Sequence, residues 1–313
     1  MLPQYRSILS RHKKSLKGIL RILPFRSRSL GISKPVFIYE PPRFTNLEDV
    51  HILYLLRGHE REYVNIHEDD TREQTSIEMI DELIHTGKIP PVLVVMPGLN
   101  SVENDIPSLG INMANPPNDK RNGLGTGQFW NFLTQELLPF IDARFLKKTE
   151  HSLRMSYGFS LGGYTTSMLF TGLPGYFNHV GLYDALFMFE DQIDPRTNKP
   201  DKIWCNSPHF DAALGKSNDR VLGNLSAWNT TELVRFSDPI TLQKLKETMC
   251  WIRSSAFDDQ KGNLYRNTYF ISVLRNAGLE AAFNVVPFHE NAEHTWHWND
   301  RFLSFFLRNI FEN

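Results

Sequence analysis

Short apolar runs rich in Val, Ile and Leu recur along the chain, separated by longer segments whose apolar residues fall at three- and four-residue spacings. That alternation predicts strands at Pro35–Tyr39, His51–Leu56, Val92–Met96, Leu153–Tyr157, His179–Tyr183, Trp251–Ser254 and Ala282–Val286. Several of these runs are apolar almost throughout, as strands buried on both faces of a mainly parallel sheet must be. Helices are predicted between them at Gln74–His85, Gln128–Phe145, Leu161–Phe170, Leu264–Asn276 and Asp300–Ile310. The order of elements gives the α/β class, with a doubly wound, mostly parallel central sheet flanked by helices.

Two stretches depart from the alternation. Residues 189–249 contain Pro195, Pro200, Pro208 and Pro239 and few periodic runs, so they read as an excursion from the sheet of the kind that shapes a pocket. Trp204, His209, Phe210 and Trp228 within it are candidates for pocket walls or for a local core. Residues 1–28 form a basic N-terminal extension ahead of a domain spanning 29–313. From Tyr5 to Ile22, Ile8, Leu9, Leu16, Ile19 and Leu20 stand among Arg6, Arg11, Lys13, Lys14, Lys17 and Arg21. This is the pattern of an amphipathic helix, expected to pack on the protein's own body.

Composition narrows the class without changing it. A chain of 313 residues, 41% hydrophobic and 22% charged, fits one ordinary globular domain. With 34 Lys and Arg against 35 Asp and Glu, the net charge of -1 supplies no field to gather a polyanion, so nucleic acid is excluded as a partner. Cys205 and Cys250 make neither a disulfide framework nor a zinc spacing, and no metal or cofactor is expected. No apolar run forms a signal-peptide core or a membrane-spanning helix, and cytoplasmic residence is the resulting expectation.

The chemistry is concentrated in Gly158-Phe159-Ser160-Leu161-Gly162, between a predicted strand and a predicted helix. A sharp turn there strains the serine backbone, and the flanking glycines let neighbouring backbone come close. Ser160 is therefore the candidate nucleophile. The Leu161 N–H, at the positive end of the following helix, is a candidate oxyanion donor.

A serine hydroxyl needs a base, and the order nucleophile, acid, histidine places it late in the chain. His294 fits, with His289 and His297 as rivals from the same stretch. The acid is expected after the strand Trp251–Ser254, at Asp258 or Asp259, with Asp258 preferred. A second oxyanion donor is expected in the loop Arg57-Gly58-His59-Glu60-Arg61-Glu62, from the N–H of His59. The charged side chains of that loop read as a solvated polar rim.

These residues resemble the putative-esterase family of α/β-hydrolases, which includes esterase D, feruloyl and acetylxylan esterases, enterochelin esterases and mycolyltransferases. The resemblance runs from about Ser29 to Ile310. It is carried by Leu53-Tyr54-Leu55-Leu56-Arg57-Gly58, by Gly87 to Pro97, by the Gly158–Gly163 turn and by Glu293-His294-Thr295-Trp296. It implies a metal-free Ser160, Asp258, His294 triad acting through an acyl-enzyme on a small-molecule ester or thioester, with His59 and Leu161 as backbone donors. Arg57-Gly58 stands where many relatives have His-Gly, and Ser255-Ala256-Phe257 precedes the acid where Gly-x-x is usual. An acyltransferase with the same triad, or a binding protein on the same fold, are the alternative readings.

Overall fold

The computed structural model describes residues 3–44, 50–146, 151–187, 193–194, 199–200, 207–216, 227–257, 263–279 and 287–312. The strands of the main sheet are β1 (Ile19–Arg26), β2 (Ser33–Glu40), β3 (His51–Leu56), β4 (Val92–Pro97), β5 (Arg154–Phe159), β6 (His179–Tyr183) and β7 (Met249–Arg253). They lie in the order β1-β2-β4-β3-β5-β6-β7. β4, β3, β5, β6 and β7 are parallel, and β2 and β1 extend one edge antiparallel. The predicted α/β class and mostly parallel sheet are therefore present. The expected strand Ala282–Val286 lies outside the described residues.

Burial on both faces explains the apolar runs. Ile52, Tyr54 and Leu56 of β3 enter one core while Leu53 and Leu55 enter the other, and every residue of β4 is buried. The helices divide accordingly. α1 (Pro3–Ser15), α2 (Ser76–His85) and α6 (Trp296–Phe311) supply one core, among them Tyr5, Ile80, Phe302 and Phe306. The run Phe129–Asn131, Phe132–Leu137 and Leu138–Phe145 (together α3, π-helical in its middle part), α4 (Leu161–Gly172) and α5 (Leu264–Asn276) supply the other. Phe129, Leu133, Leu137, Ile141, Leu169 and Phe270 fill it.

The N-terminal segment is helical only to Ser15, and Ile19–Arg26 pairs with Ser33–Glu40 along its whole length. A predicted appendage thus supplies the edge strand of the sheet. α1 docks on the body: His12 bonds the Val64 carbonyl at 2.7 Å, and Asp81 accepts the Lys17 and Gly18 amides at 2.9 and 2.8 Å. In the excursion, Phe210, Ala213 and Leu214 pack with Tyr164 and Met168 of α4 in a small third core. The Tyr164 hydroxyl donates to the Trp228 carbonyl at 2.6 Å, tying that region to the helix behind Ser160. Trp204 and Cys205 lie outside the described residues, while Cys250 is a buried free thiol.

Candidate active site

β5 ends at Phe159 and α4 begins at Leu161, so Ser160 is the single residue at which the chain reverses. Its φ of 54° and ψ of −115° place a non-glycine residue where backbone strain of roughly 1–3 kcal/mol is typical. Neighbouring bonds hold it there. The Ser160 N–H donates to the Tyr183 carbonyl at 3.1 Å, and its own carbonyl accepts from Gly163 and Leu186, each at 3.0 Å. The turn is possible only with glycine on either side: a Cβ on Gly158 would run into the Gly162 carbonyl, and one on Gly162 into the Leu56 carbonyl. As the first residue of α4, Leu161 has an N–H without an intrahelical acceptor.

His294 lies in the loop before α6. Its Nδ1–H donates to Asp184 Oδ2 at 2.5 Å, which leaves Nε2 as the basic nitrogen. The ring packs against Phe159, the residue preceding Ser160, at 4.7 Å between centroids. The Tyr183 hydroxyl donates to the Glu293 carbonyl at 2.7 Å and fixes the loop next to the histidine.

Asp184 directly follows β6, has φ of 45° and is wholly buried. Its second oxygen accepts the Ser255 amide and hydroxyl, both at 2.9 Å, and the Asn263 amide at 3.2 Å. Asn263 Nδ2 donates to Oδ2 at 3.2 Å. Fixed donors thus surround a buried charge, the condition under which a carboxylate persists away from water. The contact expected of Asp258 is made by Asp184. Asp258 and Asp259 lie outside the described residues, and the preceding loop comes close to His294, with the Ala256 N–H donating to the Ala292 carbonyl at 2.7 Å.

The rival histidines are engaged elsewhere. His289 stacks on Trp298 at 5.2 Å, and His297 is exposed, meeting the same indole edge-on. Trp296 and Trp298 are both buried and belong to the packing of α6.

The loop after β3 differs most from expectation. The Gly58 and His59 amides donate to Glu62 Oε2 at 2.8 and 2.5 Å, so the proposed second oxyanion donor is occupied by a carboxylate of its own loop. The cause is burial: Glu62 is only 5% exposed, and once buried it must collect donors. Burial pushes its carboxyl up, against the nearby Arg57 charge and the bonded amides. Glu60 is buried as well, accepting from the Tyr5 hydroxyl at 2.5 Å with His59 Nδ1 at 3.0 Å. Of the charges expected to form a solvated rim, Glu60 and Glu62 are internal, while Arg57 and Arg61 stay partly exposed. The His59 ring, held between Glu60 and the Val102 carbonyl, is committed to that cluster.

Among the described residues no group of acidic, histidine and cysteine side chains could hold a metal ion, and no helix is long and apolar enough to cross a membrane.

The profile of the family described as "Putative esterase" matches residues 27–231. An endo-1,4-beta-xylanase/feruloyl esterase of Xylanibacter ruminicola is 29% identical over 143 residues, which make up 44% of this chain and 18% of that protein. Among solved structures, a ferulic acid esterase superposes with a TM-score of 0.65 at 19% identity, over 95% of this chain and 97% of its own. An S-formylglutathione hydrolase from Agrobacterium tumefaciens gives a TM-score of 0.57 at 15% identity, over 93% and 96%. Both share the α/β-hydrolase fold.

Proposed function

Because the chain belongs to the Putative esterase family, and so to the serine carboxylic ester hydrolases, we propose that it cleaves a small-molecule ester through an acyl-enzyme on Ser160, with His294 as base and Asp184 as the carboxylate that orients it. The observation that carries this reading is the strained Ser160 turn beside a histidine whose Nδ1 is bonded to a buried aspartate.

In the first step His294 Nε2 takes the Ser160 proton as Oγ attacks the ester carbonyl, and the Leu161 N–H stabilises the oxyanion. Asp184 keeps the proton on Nδ1 and stabilises the imidazolium as it forms. His294 then protonates the departing alcohol. Water, deprotonated by the same nitrogen, releases the acid and restores the serine. The sequence relative described as an endo-1,4-beta-xylanase/feruloyl esterase supports an ester as substrate. The second oxyanion position falls to the Gly58 and His59 amides only when the Glu62 carboxylate turns away from them.

A fluorophosphonate probe tests the reading: label is expected on Ser160, and hydrolysis of 4-nitrophenyl butyrate is expected to vanish in Ser160→Ala. Folded protein that takes no label and turns over no ester would sink it.

A further inference from the structure

β3 runs beside β5, so the chain leaves the sheet at Arg57 next to the strand that delivers Ser160. Its backbone is fixed there, because a Cβ on Gly162, two residues past Ser160, would lie 2.8 Å from Arg57 Cα. The guanidinium lies over the Phe159 ring, 5.0 Å from its centroid. That ring is also the neighbour of His294. Cation and base therefore share one aromatic support at the end of the sheet where Ser160 sits.

Arg57 holds more donor capacity than the described residues use. A guanidinium carries five N–H groups in a planar fork. Nε is buried without a hydrogen-bond partner, and the nearest carboxylate oxygen, Glu62 Oε1, stands 3.6 Å away. Glu62 spends its other oxygen on the Gly58 and His59 amides. The Arg57 side chain keeps 16% exposure, so it is neither sealed in the core nor free in water.

We infer that Arg57 determines substrate specificity by binding a carboxylate carried by the ester near its scissile carbonyl. The inference rests on the serine-esterase reading and supplies its substrate class. With Glu62 already facing the guanidinium, a singly charged carboxylate adds less unbalanced negative charge than a phosphate dianion would, and its two oxygens match the guanidinium fork.

The test uses each carboxylate with its own methyl ester. Mono-4-nitrophenyl succinate against methyl 4-nitrophenyl succinate places the charge on the acyl side. 4-Carboxyphenyl butyrate against its methyl ester places it on the alcohol side. The readout is the ratio of kcat/KM within each pair, which a general loss of activity leaves unmoved.

The ratio is expected to favour the carboxylate in one of the pairs, to fall with added salt, and to drop by about tenfold or more in Arg57→Met. Arg57→Lys is expected to keep part of it. A wild-type enzyme that prefers the methyl ester in both pairs, or a salt-independent ratio, overturns the inference without any variant. An unchanged ratio in Arg57→Met overturns it too and leaves Arg57 a structural partner of Glu62. In these cases hydrolysis of the methyl esters and labelling of Ser160 keep the esterase reading intact, while loss of both defeats the two together.

Discussion

Asp184→Asn is the substitution that weighs most on the proposed chemistry. It preserves shape but replaces one carboxylate oxygen by an NH2, which then faces either His294 Nδ1–H or the donors from Ser255 and Asn263. Facing His294, it forces the proton from Nδ1 to Nε2 and removes the base. The expected loss in kcat is roughly 10⁴-fold, the size found when a triad aspartate is replaced by its amide in a serine protease. Facing Ser255 and Asn263, it sets donors against donors in a fully buried place and costs roughly 2–4 kcal/mol of stability. Hydrolysis of 4-nitrophenyl butyrate at saturating substrate reads the first effect. A urea unfolding curve reads the second and shows that the assays are made on folded protein. Asp258→Asn and Asp259→Asn, assayed alongside, are expected to retain activity within about threefold, the range for a substitution that takes no part in the chemistry. If one of them loses activity by 10³ or more while Asp184→Asn keeps over a tenth of it, the assignment of Asp184 is refuted, and the contact with His294 is structural.

Ser160→Gly is expected to abolish hydrolysis while raising stability by about 1 kcal/mol, since glycine reaches the Ser160 conformation without strain; a lowered unfolding midpoint would contradict it. Lys34, held by the Asn100 and Gly123 carbonyls at 2.8 and 3.0 Å, is lowered by burial from 10.5 to about 8. Between those values the unfolded chain binds a proton that the folded protein has lost, so wild-type stability relative to Lys34→Met should rise with pH by up to about 3 kcal/mol. Urea curves for the two proteins from pH 7.5 to 10.5 read this difference, and a flat one refutes it. Asp81→Ala removes the acceptor of the Lys17 and Gly18 amides and of the Tyr39 hydroxyl, so trypsin is expected to cut the N-terminal segment about tenfold faster than in wild type. Equal cutting would mean that α1 is held by its apolar face and the Tyr5 and His12 bonds, with no need of Asp81.

What could be read in the sequence follows from how local each signal is. β3 and β6 match their predicted limits, and the helix before Asn276 does too, because continuous apolar runs and long periodic segments report burial directly. β1 was not legible: Ile19 and Leu20 fit a helical stripe, and only pairing with β2, a long-range contact, makes the segment a strand. The turn at Ser160 was legible because so tight a turn imposes glycine on its immediate neighbours. The place of His294, just before the last helix, was legible from the order of the elements. Asp184 is different in kind. It needs no special neighbours in sequence, only a place at the end of a strand and donors from Ser255 and Asn263, more than 70 residues away. The signal that was present, an aspartate immediately after the apolar run His179–Tyr183, is common at strand ends and carries little weight alone. Glu60 and Glu62 mislead for the converse reason. A run of alternating charges in a loop is ordinarily solvated, and only the arrival of Tyr5 from α1 and the folding back of the Gly58 and His59 amides give these carboxylates partners inside. The residues hardest to read are thus those whose role depends on a distant donor. They include the acid bonded to His294 and the acid that occupies the amides expected to bind the oxyanion, so the electrostatics around Ser160 are set by contacts the motif does not encode.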